Sequence, residues 1–152
     1  MFRFIVKAWL QEHNRGTKGY TKEGAVLSEG KVLATIAVKD IAAGKAFYGE
    51  KLGLKQIDEN PGGVTYECGA GSAVFVYQSG FAGTNQATCA TWTVSDVEAV
   101  VADLKGKGIS FEQYDNLGPG MTREGDIHIF GDTEKAAWFK DPDGNILNVG
   151  SM

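Results

Sequence analysis

Few residues in this chain could do chemistry of their own, and their spacing limits what that chemistry would be. There are two histidines, His13 and His128, and two cysteines, Cys68 and Cys89. The cysteines sit in separate apolar stretches without a C-x-x-C spacing, so neither a disulfide framework nor a zinc knuckle is expected and a reducing cytoplasm is the default compartment. His13 falls in a polar amino-terminal stretch and His128 in "GDIHIFGD"; both read as surface or loop histidines. His128 could act as a general base if the segment 115–134, "DNLGPGMTREGDIHIFGDTE", folds over a cavity, because an imidazole can exchange a proton at neutral pH. That segment is long for a connection in a compact domain, and long connections are often lids or binding loops.

Composition excludes several classes. With 152 residues, 43% hydrophobic and 22% charged, the chain suits one domain with a real core. A net charge of −4 and a pI near 5.2 argue against nucleic acid, whose phosphates call for a basic stripe. The apolar start is broken by Arg3 and Lys7, is far shorter than the ~20 residues of a membrane span, and lacks the pattern of a signal peptide. Residues 11–31 are polar and glycine-containing, so residues 1–31 read as an extension or linker ahead of a domain at 32–150. The codons for Lys22-Glu23-Gly24 could read as a ribosome-binding site ahead of an alternative start at Val26, which would make residues 1–25 an extension.

The elements that must position the chemistry come next. "VLATIAV" (32–38) is a strand, Asp40 can cap the helix that follows, and Ile41, Phe47, Tyr48 and Leu52 give that helix an apolar face that ends at Gly53. Short strands follow near 54–58, 63–68 and 72–78, a β-α-β-β-β order. The plan then repeats. Ala34, Thr35, Val38, Asp40 and Ala43 recur at one constant offset as Ala90, Thr91, Val94, Asp96 and Ala99. Strand 88–94, a helix carrying Val97, Val100, Val101 and Leu104 and stopped by Gly106 and Gly108, and strands 109–114, 135–140 and 145–149 complete a second unit. The expected fold is α+β: two tandem βαβββ units, 32–78 and 88–150, forming a cupped mixed sheet with the helices on the convex side. "AAWFKDPDGNILNV" is its last hairpin, with Pro142 at the first central position of a tight turn and Gly144 supplying a permissive backbone.

The strand ending Val-x-Asp, the helix end "FYGEKLGL" and the "FKDPDGN" hairpin, in register within a duplicated unit, resemble the vicinal oxygen chelate superfamily of glyoxalase I, extradiol dioxygenases, and fosfomycin- and bleomycin-resistance proteins. The resemblance covers about residues 32–150. It implies a divalent metal held on the concave sheet by a first-strand His and a last-strand carboxylate, a donor set that would polarise a bound substrate. The matching positions here are Leu33 and Cys89 in the first strands and Phe75 and Asn148 in the last, none of them His or Glu. Cys89 alone could bind a metal as thiolate, but in an apolar strand it reads as a core cysteine. The expectation is therefore no metal and no cofactor.

Alternation from those positions places Leu33, Thr35 and Ala37, Cys89, Thr91 and Thr93, with Phe75, Tyr77 and Asn148, on the concave face, joined by Trp138. Glu67 would face inward on the same register, where its carboxylate would favour a cationic ligand, and outward after a slip of one residue; Trp92 packs beneath the second helix. The ligand-binding set is thus Leu33, Thr35, Phe75, Tyr77, Cys89, Thr91, Trp138 and Asn148, which suits a small organic ligand, aromatic or cationic; the alternative is that the same side chains simply fill the cup. Two functions follow: a metal-independent sequestering protein resembling the bleomycin-resistance branch, or a glyoxalase- or dioxygenase-like lyase, isomerase or oxygenase. Open edge strands and the pairing common in the resembled family lead to the expectation of a homodimer.

Overall fold

The computed structural model describes residues 27–151, so His13 and the proposed start at Val26 lie outside the described residues. After a short 3₁₀ turn at Leu27–Glu29, the chain runs as β1 (Ala34–Val38), α1 (Ile41–Lys45), β2 (Lys55–Asn60), β3 (Gly63–Glu67) and β4 (Ala73–Gln78). The second unit contains β5 (Thr88–Thr93), α2 (Val97–Gly106), β6 (Phe111–Glu112), β7 (Met121–Glu124), β8 (Ile127–Phe130), β9 (Glu134–Lys140) and β10 (Ile146–Gly150). The α+β class and the paired βαβββ units are as the sequence implies.

The two helix starts are built identically. Asp40 accepts a hydrogen bond from the Ala43 N–H at 2.8 Å, and Asp96 accepts one from the Ala99 N–H at 2.8 Å. Each cap satisfies an amide that the first helical turn would leave unpaired. Beyond Lys45 the first helix widens into a π-helical segment, Ala46–Lys51, closed by the Leu52 N–H on the Phe47 carbonyl at 2.8 Å. The wider turn brings successive side chains closer in angle, and both Phe47 and Tyr48 are buried on the same core.

One sheet has the order β1-β4-β3-β2, with β1 parallel to β4 and the other pairs antiparallel. The second has the order β5-β10-β9-β8-β7, with β5 parallel to β10 and β6 on the Phe139 end of β9. Without β7 and β8, the second sheet would read β5-β10-β9-β6, the same plan as the first. Two expectations need correcting. The strand expected at 109–114 shrinks to Phe111–Glu112, and the expected loop 115–134 contains the hairpin β7–β8. Its turn is Gly125-Asp126, with Gly125 at φ +62°, the conformation a two-residue hairpin demands of its first central residue. Asp126 at its tip accepts from Lys105 of α2 at 2.6 Å and from Gln113 at 3.1 Å, which pins the hairpin to the unit.

One face of each sheet carries the core. Ile36, Val38, Val64, Tyr66, Val74 and Val76 from the first sheet, with Ala137, Phe139, Leu147 and Val149 from the second, pack against Phe47, Tyr48, Val97, Val101 and Leu104 of the helical segments. Trp92 packs against the same cluster. The alternate residues of those strands are left on the opposite face.

What fixes the units to each other is a polar knot around the turn Asp141–Asn145. Asp141 Oδ2 accepts from the Tyr48 hydroxyl and from Asn145 Nδ2, both at 2.7 Å, and its Oδ1 accepts from the Asp143 and Asn145 amides. Asn145 in turn donates to the Ala37 carbonyl at 2.7 Å and accepts from the Gly83 amide, while Asp143 accepts from the Lys39 amide. The bonds to Tyr48, Ala37 and Lys39 lead from the second unit to the first and the bond to Gly83 leads to the linker, while the others close the turn itself. Burial, with the neighbouring Asp141 charge, holds the Tyr48 hydroxyl well above its ordinary range, so it stays a donor.

Tyr48→Phe is expected to cost about 1.5–3 kcal/mol, the range for a hydrogen bond to a charged group, read as a lower urea midpoint at unchanged slope. Two glycines separate crowding from conformation. Gly53 (φ +74°) has open space where a Cβ would stand, whereas at Gly83 (φ +71°) a Cβ would fall 1.8 Å from the Asp143 carbonyl oxygen. Gly53→Ala should therefore cost only roughly 1–2 kcal/mol from the left-handed backbone, and Gly83→Ala clearly more; equal losses in denaturant titrations would contradict the knot as described.

Candidate ligand-binding site

The faces left over by the core form the walls of a cup. In the first unit, Thr35 and Ala37 of β1 stand in register with Phe75 and Tyr77 of β4, and Phe75 also pairs with Thr65 of β3. The Phe75 and Tyr77 rings are parallel within 3°, centroids 6.1 Å apart. Phe75 lies over Gly63, where a Cβ would come within 2.8 Å of the ring, so the glycine makes room for the aromatic wall. Leu33, immediately before β1, is half-buried and Thr35 is exposed.

In the second unit, Asn148 of β10 lies between Trp138 of β9 and Thr91 of β5. The Trp138 indole N–H donates to Thr88 Oγ at 3.0 Å, which fixes the ring. Asn148 is buried and its amide nitrogen donates to the Ala137 carbonyl at 3.1 Å, while Thr91 is exposed. Three rings meet Trp138 nearly at right angles: His128 at 5.1 Å, Tyr114 at 5.8 Å and Phe130 at 6.4 Å. Phe75 and Tyr77 are thus brought together, as are Trp138, Asn148 and Thr91; among the described residues no ring–ring contact joins the two groups.

Cys89 departs from the expected alternation. The register between β5 and β10 shifts here, a bulge that places Cys89 and Ala90 in succession against the core. Thr88 takes the place beside Trp138 instead, and the Cys89 thiol donates to the Ile146 carbonyl at 3.3 Å. A bulge shows no strong signature in "ATCATWTV", which is why strict alternation assigned Cys89 to the cup. His128 is also unlike its expectation as a surface or loop residue. It lies on β8 and is fully buried, with Nε2 3.0 Å from both the amide nitrogen and the carbonyl oxygen of Tyr114. The signal that could have found it is the Gly-Asp pair between "MTRE" and "IHIF", a two-residue hairpin pattern.

Charges on this side are paired. Glu67, expected to attract a cation, is exposed and bridged to Lys55 at 3.2 Å, and Glu112, opposite Trp138, is bridged to Lys140 at 3.0 Å. A metal does not fit the residues at Leu33, Phe75, Cys89 and Asn148. Leu33 and Phe75 are hydrocarbon, Asn148 offers only a neutral amide oxygen, and the Cys89 thiol is pushed up by burial and by Asp141. Among the described residues no group of three or more His, Cys, Asp or Glu side chains is placed to hold an ion.

Residues 32–149 match the model of the Glyoxalase/Bleomycin resistance protein/Dioxygenase superfamily. No curated protein is significantly similar in sequence. Among solved structures, a glyoxalase/bleomycin resistance protein from Streptomyces sp. CB03234 is similar with a TM-score of 0.56 and 22% identity, over 77% of this chain and 96% of that one. Lactoylglutathione lyase from Agrobacterium tumefaciens is similar with a TM-score of 0.60 and 16% identity, over 80% and 93%. An antibiotic binding protein, also from Streptomyces sp. CB03234, reaches 0.56 and 21%, over 80% and 95%. At these identities the likeness is one of fold.

Burial raises both the Cys89 and Cys68 thiols, so at pH 8 the folded chain holds less thiolate than the unfolded one. Alkylation by iodoacetamide at pH 8 should be slower in buffer than in urea for both residues. The matching stability is present below the unfolded thiol value, ~8.5, and is lost as pH rises through the higher folded value. Equal alkylation rates with and without urea would overturn the placement of Cys89 against the core.

Proposed function

The chain belongs to the Glyoxalase/Bleomycin resistance protein/Dioxygenase superfamily, and from that premise we propose that it binds a small planar organic molecule in its cup, without a resident metal, as a sequestering protein. The observation that carries this reading is the replacement of metal donors by ring faces and neutral polar groups: Phe75 and Tyr77 on one side, Trp138 on the other, with Thr35, Thr91 and Asn148 near the seam. Ring faces give a flat ligand a large contact area at low conformational cost, and a few hydroxyl and amide groups orient it. An antibiotic binding protein built on a similar fold is consistent with such a role. The pairing of Glu67 with Lys55 favours a neutral aromatic ligand over a cation. No helix among the described residues is long and apolar enough to cross a membrane. We also propose that residues 32–150 form the binding domain and that two copies associate through open edges such as β2, giving two equivalent cups.

A thermal-shift screen of planar aromatic compounds tests the reading, because a ligand of the native state raises the apparent stability. For a compound so found, Trp138→Ala should weaken binding by about tenfold, the loss of one stacked ring, and EDTA should leave the affinity unchanged. Affinity abolished by EDTA, or a stoichiometric transition metal in the purified protein, would point instead to glyoxalase- or dioxygenase-type chemistry. Sedimentation showing only monomer at high concentration would overturn the dimer.

A further inference from the structure

His128 Nδ1 is the buried side-chain nitrogen that lacks any hydrogen-bond partner among the described residues. Leaving such an atom unpaired costs free energy, and a native chain retains one where something repays the cost. The environment is specific. Nε2 of the same ring lies 3.0 Å from both the N–H and the C=O of Tyr114. Unprotonated, Nε2 accepts from the Tyr114 amide and Nδ1 carries the proton; protonated, it donates to the Tyr114 carbonyl and Nδ1 offers a lone pair. Tyr114 thus holds the ring in either tautomer, and Nδ1 can present a donor or an acceptor.

The imidazole also stands against Trp138 at 5.1 Å and 82°, with Tyr114 in contact with both rings. Resting on the reading of the cup as a site for a planar organic molecule, we propose that His128 Nδ1 is the polar recognition group beside the Trp138 platform, covered by the Tyr114 ring, and that the ligand is a planar aromatic carrying a ring-bound hydroxyl or carbonyl oxygen. A hydroxyl matches either tautomer and a carbonyl matches the Nδ1–H form. A cationic group is disfavoured, because the carboxylates near this cluster, Glu112 and Asp115, already face Lys140 and Arg123. Tyr114 sits at the head of a run of exposed residues, 115–120, so its ring can turn aside while its backbone N–H and C=O keep hold of His128 Nε2.

The probes are 2-naphthol and naphthalene, titrated into the full chain by calorimetry or tryptophan fluorescence. Wild type should bind 2-naphthol about tenfold more tightly than naphthalene, the value of one added hydrogen bond, and in His128→Phe the ratio of the two affinities should fall to about one. In the ¹⁵N spectrum of wild type, 2-naphthol should shift the His128 Nδ1 resonance and naphthalene should not, a measurement that holds even if His128→Phe folds poorly. Equal binding of both probes to wild type, or a 2-naphthol preference that survives His128→Phe, overturns the role of His128 and leaves the aromatic cup standing. Failure of wild type to bind either probe overturns both readings.

Discussion

The arrangement depends on one buried carboxylate. Asp141 closes its own turn through the Asp143 and Asn145 amides and receives the Tyr48 hydroxyl from the first unit. With no counter-ion in contact among the described residues, the carboxylate is held by four hydrogen bonds, which is how a buried carboxylate avoids the full desolvation cost. Asn145 extends the knot to the Ala37 carbonyl at the end of β1 and to the linker amide of Gly83. These bonds set the edges β1 and β5 side by side, so the position of the cup follows from a turn that is itself outside the cup.

From that seam outward, the strands do two jobs with alternate residues. Even-numbered positions of β1 and β4 build the core and odd-numbered ones face the cup, so a change of register would exchange valines for threonines and aromatics. The core face demands apolar, branched side chains at every position it uses. The cup face carries no such demand, which leaves Thr35, Thr91, Asn148 and Trp138 free to be chosen for something other than packing.

Much of this was legible in the sequence for local reasons. Asp40 and Asp96 each cap a helix three residues before the amide they accept, and the Pro142–Gly144 turn carries its conformation in its residue types. The faces of Thr35, Phe75, Tyr77 and Asn148 followed from alternation because their strands run without interruption. What was not legible depends on irregularity or on distant partners. The bulge at Cys89 turns one side chain and leaves the rest of β5 in phase. The π-helical segment is set by where Phe47 and Tyr48 must go in three dimensions, and the burial of His128 by rings from Tyr114 and Trp138. The β7–β8 hairpin was hidden because Arg123, Glu124 and Asp126 make it read as a polar loop.

The duplicated scaffold and its unduplicated lining also have to be reconciled. Phe75 and Asn148 occupy equivalent places, each four residues after the turn glycine of its unit, Gly71 and Gly144. Thr65, beside Phe75, corresponds to Trp138, beside Asn148. Large and small therefore trade places between the two halves: an aromatic ring stands on β4 where the second unit has an amide, and on β9 where the first has a hydroxyl. Gly63 supplies the space that Phe75 needs, and Thr88, brought into place by the bulge, takes the indole N–H of Trp138. With that N–H committed, the indole has only its ring surface left to offer. In the cup proposed above, a symmetric lining would accept a flat molecule equally well in two orientations; the offset rings would remove that equivalence, with one edge of a bound molecule toward the His128 side and the other toward Phe75 and Tyr77.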